Sequence, residues 1–173
     1  MPRTHTWIGL FLALACLQGC AHTDPLAGQP LFAETYERSR DNASVYFVRQ
    51  YRQMNPQFIT EVYVDGKRLG GLPTGGYIKV DLPPGVHHIR SNKTSILTDE
   101  ATREFDLSVA AGKNYFVVDQ DLWSEPKDGL TLGEMNNGIY RGSRHYFRWA
   151  LLPEDEAMAF MPKYRLAKPA DAK

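Results

Sequence analysis

The sequence predicts an all-β fold, an antiparallel β-sandwich or partly open barrel with a short C-terminal helix, preceded by a signal peptide and a flexible tether. Three observations predict it. Several short stretches alternate apolar and polar residues with the two-residue period of a pleated strand. Gly and Pro turns separate them at intervals of about ten residues. No rhythm of strands and long amphipathic helices appears that would signal a parallel sheet.

The strands follow in order. Residues 43–52 are rich in Val, Tyr and Phe. Residues 58–64 alternate Thr60 and Val62 with Glu61 and Tyr63. Asp65-Gly66 follows at once, the pair favoured by a tight primed hairpin whose two central residues need positive φ, so the next strand starts at Lys67. Residues 77–82 place Ile78, Val80 and Leu82 on one face and Tyr77, Lys79 and Asp81 on the other. Pro83-Pro84-Gly85 ends that strand, because proline has no N–H for the ladder, and extended structure resumes over 86–90. Residues 103–109 bury Phe105, Leu107 and Val109, and Ala111-Gly112-Lys113 turns into 114–118, which is expected to pair back as a hairpin. Residues 146–152 form a last strand. Pro153 followed by Glu154-Asp155-Glu156 opens a short helix, with proline and acids in its first turn.

The N-terminus carries a different signal. Arg3 precedes the apolar run from Trp7 to Leu17, which has the form of a secretory signal peptide. Its eleven residues fall short of the roughly 20 needed to cross a bilayer. Leu17-Gln18-Gly19-Cys20 closes the run and resembles the bacterial lipobox. That resemblance implies cleavage between Gly19 and Cys20 and covalent attachment of diacylglycerol and an N-acyl chain to Cys20. Gln18 departs from the small or apolar residue usual at its place. Cys16 lies in the signal, so Cys20 is the only mature cysteine, and acylation removes what would otherwise be a lone exported thiol.

The expected organisation is a signal peptide over 1–19, a lipidated tether over 20–42, a β-sandwich over 43–166, and a disordered tail over 167–173. Residues 31–40 have a short helix as an alternative. The chain has 20 basic and 20 acidic residues, and cleavage removes only Arg3, so the domain is nearly neutral and has no basic footprint for nucleic acid.

Val62-Tyr63-Val64-Asp65-Gly66-Lys67-Arg68-Leu69-Gly70, then Gly76-Tyr77-Ile78, Leu82-Pro83-Pro84-Gly85-Val86-His87 and Ala111-Gly112-Lys113-Asn114-Tyr115-Phe116-Val117 together form an ordered set. This order resembles the bacterial family called domain of unknown function 2846, over about residues 43–125. The family is typically found in predicted lipoproteins, and its central segments are similar to PEGA-type β-sandwich modules. The resemblance implies a fold and an address, and brings no assigned activity.

Candidate chemistry is sparse. Neighbouring residues on a strand point to opposite faces, so His87 and His88 cannot share one metal ion without a bulge. His22 and His145 lack the spaced partners of a zinc site. No Gly-x-Ser-x-Gly elbow is present. Asp119-Gln120-Asp121 and Glu154-Asp155-Glu156 read as solvated acids, lacking the spacing of a calcium loop. The glycine-rich stretch from Leu69 to Gly76 lacks the Lys-Ser/Thr of a phosphate loop and reads as a hairpin connection. Residues 140–149 mix arginines and aromatics, making Arg141, Arg144, Arg148 and Trp149 a candidate interaction surface for an envelope protein or polymer, against the plainer reading of an edge strand with outward arginines.

The expectation is a non-enzymatic, membrane-anchored lipoprotein of the cell envelope, with no metal and no cofactor beyond the lipid on Cys20. Its alternative is an enzyme or small-ligand carrier assembled from His87, His88, Arg90 and Asp119. In a Gram-negative source Ala21, rather than Asp, after Cys20 predicts the periplasmic face of the outer membrane.

Overall fold

A computed structural model describes residues 24–33, 39–51, 58–93, 103–137 and 146–170. The expected signal peptide over 1–19, with Gly19, and also Cys20, Arg141 and Arg144 lie outside them. The described chain forms β1 (Ala43–Arg49), β2 (Thr60–Val64), β3 (Lys67–Leu72), β4 (Gly76–Leu82), β5 (Gly85–Lys93), β6 (Arg103–Val109), β7 (Asn114–Leu122), β8 (Thr131–Asn137) and β9 (Tyr146–Leu152). A short helix α1 (Glu154–Met158), one 3-10 turn (Met161–Lys163) and β10 (Arg165–Leu166) follow.

Two sheets pack face to face, as the turn-punctuated alternation predicts. One has six strands in the order β10-β4-β1-β7-β9-β8 and the other four in the order β3-β2-β5-β6. Most neighbours are antiparallel, while β1 with β7 and β4 with β10 run parallel. The β2–β3 hairpin turns on Asp65 and Gly66 at φ 50° and 78°, the positive values that its two-residue loop requires.

Two expectations are corrected here. The strands flanking Ala111-Gly112-Lys113 do not pair with each other: β6 pairs with β5, and β7 lies between β1 and β9. The turn instead passes the chain between sheets, with Gly112 N donating to Asn42 O at 3.0 Å and Ser44 N to Lys113 O at 2.9 Å. The reason is burial: Phe116 to Gln120 are all buried, so β7 has both faces covered and sits centrally with a ladder on each side. The glycine-rich connection likewise is no hairpin. Leu69 to Leu72 belong to β3, and the turn at Pro73-Thr74-Gly75 carries the chain to β4 in the opposite sheet.

There are two apolar layers. Between the sheets lie Val45, Phe47, Val62, Leu72, Ile89, Leu107, Val117 and Trp149. On the outer face of the six-stranded sheet, Phe32, Tyr46, Tyr77, Phe116, Met161 and Tyr164 form a second cluster. Tyr77 is therefore buried although its strand pattern points it outward. The C-terminal elements and Phe32 cover that face, and Phe32 meets both Tyr46 and Tyr77 edge-on at 5.7 and 5.6 Å.

The terminal segments are parts of the fold. Leu26 is buried in the inter-sheet core. Leu31 bridges Arg165 instead of opening a helix, with Phe32 N donating to Tyr164 O and Leu166 N to Pro30 O, both at 2.9 Å. Ala167 is buried, its N–H donating to Tyr77 O at 2.8 Å, and Ala170 N donates to Leu69 O at 3.0 Å. The expected tether thus becomes packed chain from Asp24 to Ala33, and the expected tail is held as far as Ala170. These segments close the side of the sandwich where β3 and β4 approach, a seam that the two sheets alone leave open.

On the opposite side β8 meets β6. Gly133 sits there at φ 64°, where an added Cβ would stand 2.8 Å from Glu104 O and 3.0 Å from the Phe105 Cβ. Gly133→Ala is expected to cost about 1–3 kcal/mol through overlap and backbone strain together. Gly129→Ala, at φ 73° with nothing within 4 Å, isolates the backbone part. Urea unfolding midpoints of the two variants check this, and equal losses would remove the steric contribution.

Candidate functional site

The terminal seam carries two concavities. Pairing of β10 with β4 stops at Leu166–Tyr77, and beyond it an open groove of about 500 Å³ is lined by Leu31, Leu69, Ile78, Val80, Leu166 and Pro169, with Lys79 at its rim. A shallower groove of about 280 Å³ on the other side of Pro169 is lined by Pro25, Ile59, Gly71 and Lys168. Two of the exposed large apolar side chains, Leu31 at 50% and Ile59 at 38%, lie in these grooves. The lining suits apolar contact with a polar rim, and supplies no converging acid–base set.

A buried polar layer crosses one end of the sandwich interior. Arg49 on β1 and Arg103 on β6 flank Asp119 on β7, with Nε 3.7 Å and Nη1 3.9 Å from its carboxylate oxygens. Arg49 and Asp119 are each only 1% exposed. Thr60 donates to Asp119 Oδ2 at 3.5 Å, while Arg49 Nη1 donates to the carbonyls of Phe58 and, at 3.3 Å, Leu72. In the same layer Trp149 Nε1 donates to Ser91 Oγ at 2.8 Å, joining β9 to β5 across the sheets. This polar set ties the sheets together.

Arg148 and Trp149 therefore do not form the interaction surface expected of them. Trp149 is 1% exposed and stands edge-on to Phe47 at 6.1 Å. Arg148 is 3% exposed, with Nη1 and Nη2 forking onto Asp128 at 2.5 and 2.6 Å and Nε donating to Gln120 at 2.9 Å. β9 is an inner strand between β7 and β8, and both its faces are covered: Trp149 packs against Phe105 and Ser91 of the opposite sheet, while Gln120, Asp128 and Thr131 enclose Arg148 on the other face. The guanidinium holds the Asp128 carboxyl well below its ordinary range, chiefly through these hydrogen bonds. Asp119 and Gln120 are also buried rather than solvated, while Asp155 and Glu156 are exposed as expected.

The four residues of the alternative enzyme site do not converge: His88 and Arg90 share the exposed face of β5, His87 takes its buried face, and Asp119 lies on β7. His87 Nδ1 lies 2.7 Å from Asp65 Oδ2, and its Nε2 lies 2.8 Å from Pro83 O. His88 faces the other way, toward Asp106 at 3.0 Å, and Arg90 stacks over Tyr63 at 4.3 Å. Asp119 belongs to the interior layer described above. Among the described residues, no group of three or more His, Cys, Asp or Glu is placed to hold a metal ion.

The His87 arrangement has a pH consequence. Both ring nitrogens face acceptors, so only the doubly protonated imidazolium donates to each. The bond to Asp65 chiefly raises His87 above its ordinary 6.5, and the bond to His87 chiefly lowers Asp65 below 3.8. The His87 contribution to stability is complete below pH 6.5 and is lost as pH rises through its raised folded value. The Asp65 contribution is present above pH 3.8 and is lost as pH falls through its lowered folded value. The stability difference between wild type and His87→Gln should be largest between those bounds and shrink toward alkaline pH. Urea titrations from about pH 4 to about pH 9 measure it, and a constant difference would refute the imidazolium assignment.

The fold and its interior define a class, a two-sheet β-sandwich whose buried polar groups hold the sheets together and whose terminal segments close one seam. The chain belongs to the family described as protein of unknown function (DUF2846), whose model matches residues 39–129. The match takes in β1 to β7, hence the whole four-stranded sheet, and leaves β8, β9, α1 and β10 outside it. No curated protein matches the chain.

Proposed function

We propose that the protein is a cell-envelope lipoprotein, anchored through acyl chains on Cys20, whose sandwich serves as a non-enzymatic binding or accessory module for an envelope protein or polymer. The observation that carries this reading is Leu17-Gln18-Gly19-Cys20, set at the end of an eleven-residue apolar run, in a chain that keeps no other mature cysteine. One acyl chain gives marginal, reversible membrane binding, whereas two or three hold firmly, so residence needs no spanning helix. No helix among the described residues is long and apolar enough to cross a membrane. The pairing of Arg49 and Arg103 with Asp119, and of Arg148 with Asp128, supports a structural use of the buried charges. Ala21 favours the outer membrane in a Gram-negative cell.

Fractionation tests the anchor. Expressed in a Gram-negative host, the wild type should partition with membranes and into detergent, and Cys20→Ala should lose both properties. Identical fractionation of the two proteins would sink the reading.

A further inference from the structure

We propose that the terminal seam of the sandwich lies directly on the bilayer, so that a lipid surface is the partner of its two apolar grooves. The inference rests on the lipid anchor proposed above and adds an orientation to it. Asp24 is the first described residue, and it is already fixed: its carboxylate accepts from Leu26 N at 2.9 Å, its carbonyl accepts from Ala27 N at 3.0 Å, and Leu26 is buried in the core. Only four peptide steps separate Cys20 from Asp24, and fully extended they span at most about 14 Å. The seam is therefore leashed to the headgroup layer.

What the leash brings down is suited to that layer. Pro25, next to Asp24, shares a groove with Ile59 and Lys168, and across Pro169 the larger groove adds Leu31 and Val80 with Lys79 at the rim. Half-exposed aliphatic side chains beside lysine amines match the boundary between acyl chains and phosphate headgroups. The opposite side of the molecule lies well away. Gly71 in the smaller groove is opposite Glu61, which is opposite Asn92 on β5. Ser108 on β6 is opposite Val86, six residues farther along β5. Ser108 thus stands about 14 Å across the strands and about 20 Å along them from Gly71. The β6 side, with His88 and Asp106, is left facing the aqueous phase and free for other partners.

The test uses the full-length, processed protein in phosphatidylcholine–phosphatidylglycerol vesicles carrying a nitroxide on the lipid headgroup. Acylation blocks Cys20 and processing removes Cys16, so a cysteine introduced at an exposed position is the only thiol open to a fluorophore. Lys168→Cys and Ser108→Cys are labelled separately, with Leu31→Cys as a second probe of the seam. Quenching of the labels at 168 and 31, with the label at 108 unquenched, is the expected result. Equal quenching at all three, or stronger quenching at 108, overturns the orientation. Mass spectrometry of the same samples separates the two claims. A lipidated Cys20 with equal quenching refutes the seam contact alone, whereas an unlipidated Cys20 refutes the anchor and this inference with it.

Discussion

Asp119→Ala is expected to destabilise the domain by about 3–5 kcal/mol, because it leaves two buried guanidiniums without their shared carboxylate. Asp119 lies between Arg49 and Arg103, one from each sheet, and its charge offsets part of the cost of desolvating those cations. Asp119→Asn, which keeps the shape and the hydrogen bond from Thr60 but removes the charge, should lose a large share of the same stability. Replacing Arg49 and Arg103 with Met in the Asp119→Ala background should recover part of it, since an apolar set of similar volume has no uncompensated charge to bury. Urea unfolding at neutral pH measures all three. A loss below about 1 kcal/mol for Asp119→Ala would mean that water screens the layer as it does a surface ion pair.

Trp149→Ala should cost a similar amount, about 3–5 kcal/mol, through the cavity it opens between the sheets. The side chain is 1% exposed and packs against Phe47 and Phe105, with centroids at 6.1 and 6.3 Å. Trp149→Phe retains much of the ring packing and removes the donor to Ser91 Oγ, so its loss should be smaller, with about 1 kcal/mol from the hydrogen bond. The same denaturation series separates the two parts. A Trp149→Ala variant as stable as wild type would contradict the placement of this ring in the core.

Local patterning made the strands legible. The alternation at Arg103 to Val109 predicted that whole strand and its buried face, and Asp65-Gly66 predicted the hairpin at the right residues, because both signals are written within a few positions. Pairing across the molecule was less accessible. A turn such as Ala111-Gly112-Lys113 looks the same whether it joins partners in one sheet or passes between sheets. The uninterrupted run Tyr115-Phe116-Val117-Val118 was the signal that β7 is central.

The polar interior was the least legible part. Asp119 sits in Asp119-Gln120-Asp121, which has the composition of a solvated loop, and its partners Arg49 and Arg103 are distant in sequence. Arg148 and Trp149 likewise stand in a run whose arginines suggest a surface, and only groups distant in sequence, Asp128 on one face of β9 and Ser91 and Phe105 on the other, bury them. At the N-terminus, Pro25, Gly28 and Pro30 look like tether, while the two residues that tie the segment down, Leu26 and Phe32, are single apolar positions without periodicity. This shortens the link to Cys20 from a stand-off of about 25 Å for a flexible segment to a short leash, and gives the proposed anchor a consequence for how the domain is held.

The intact mass of the mature protein, purified from membranes of a Gram-negative host, tests the central claim most directly. The account predicts a chain beginning at Cys20, without residues 1–19, carrying a diacylglyceryl group and an N-acyl chain on that residue. A chain that retains Met1, or one with an unmodified Cys20, would contradict it.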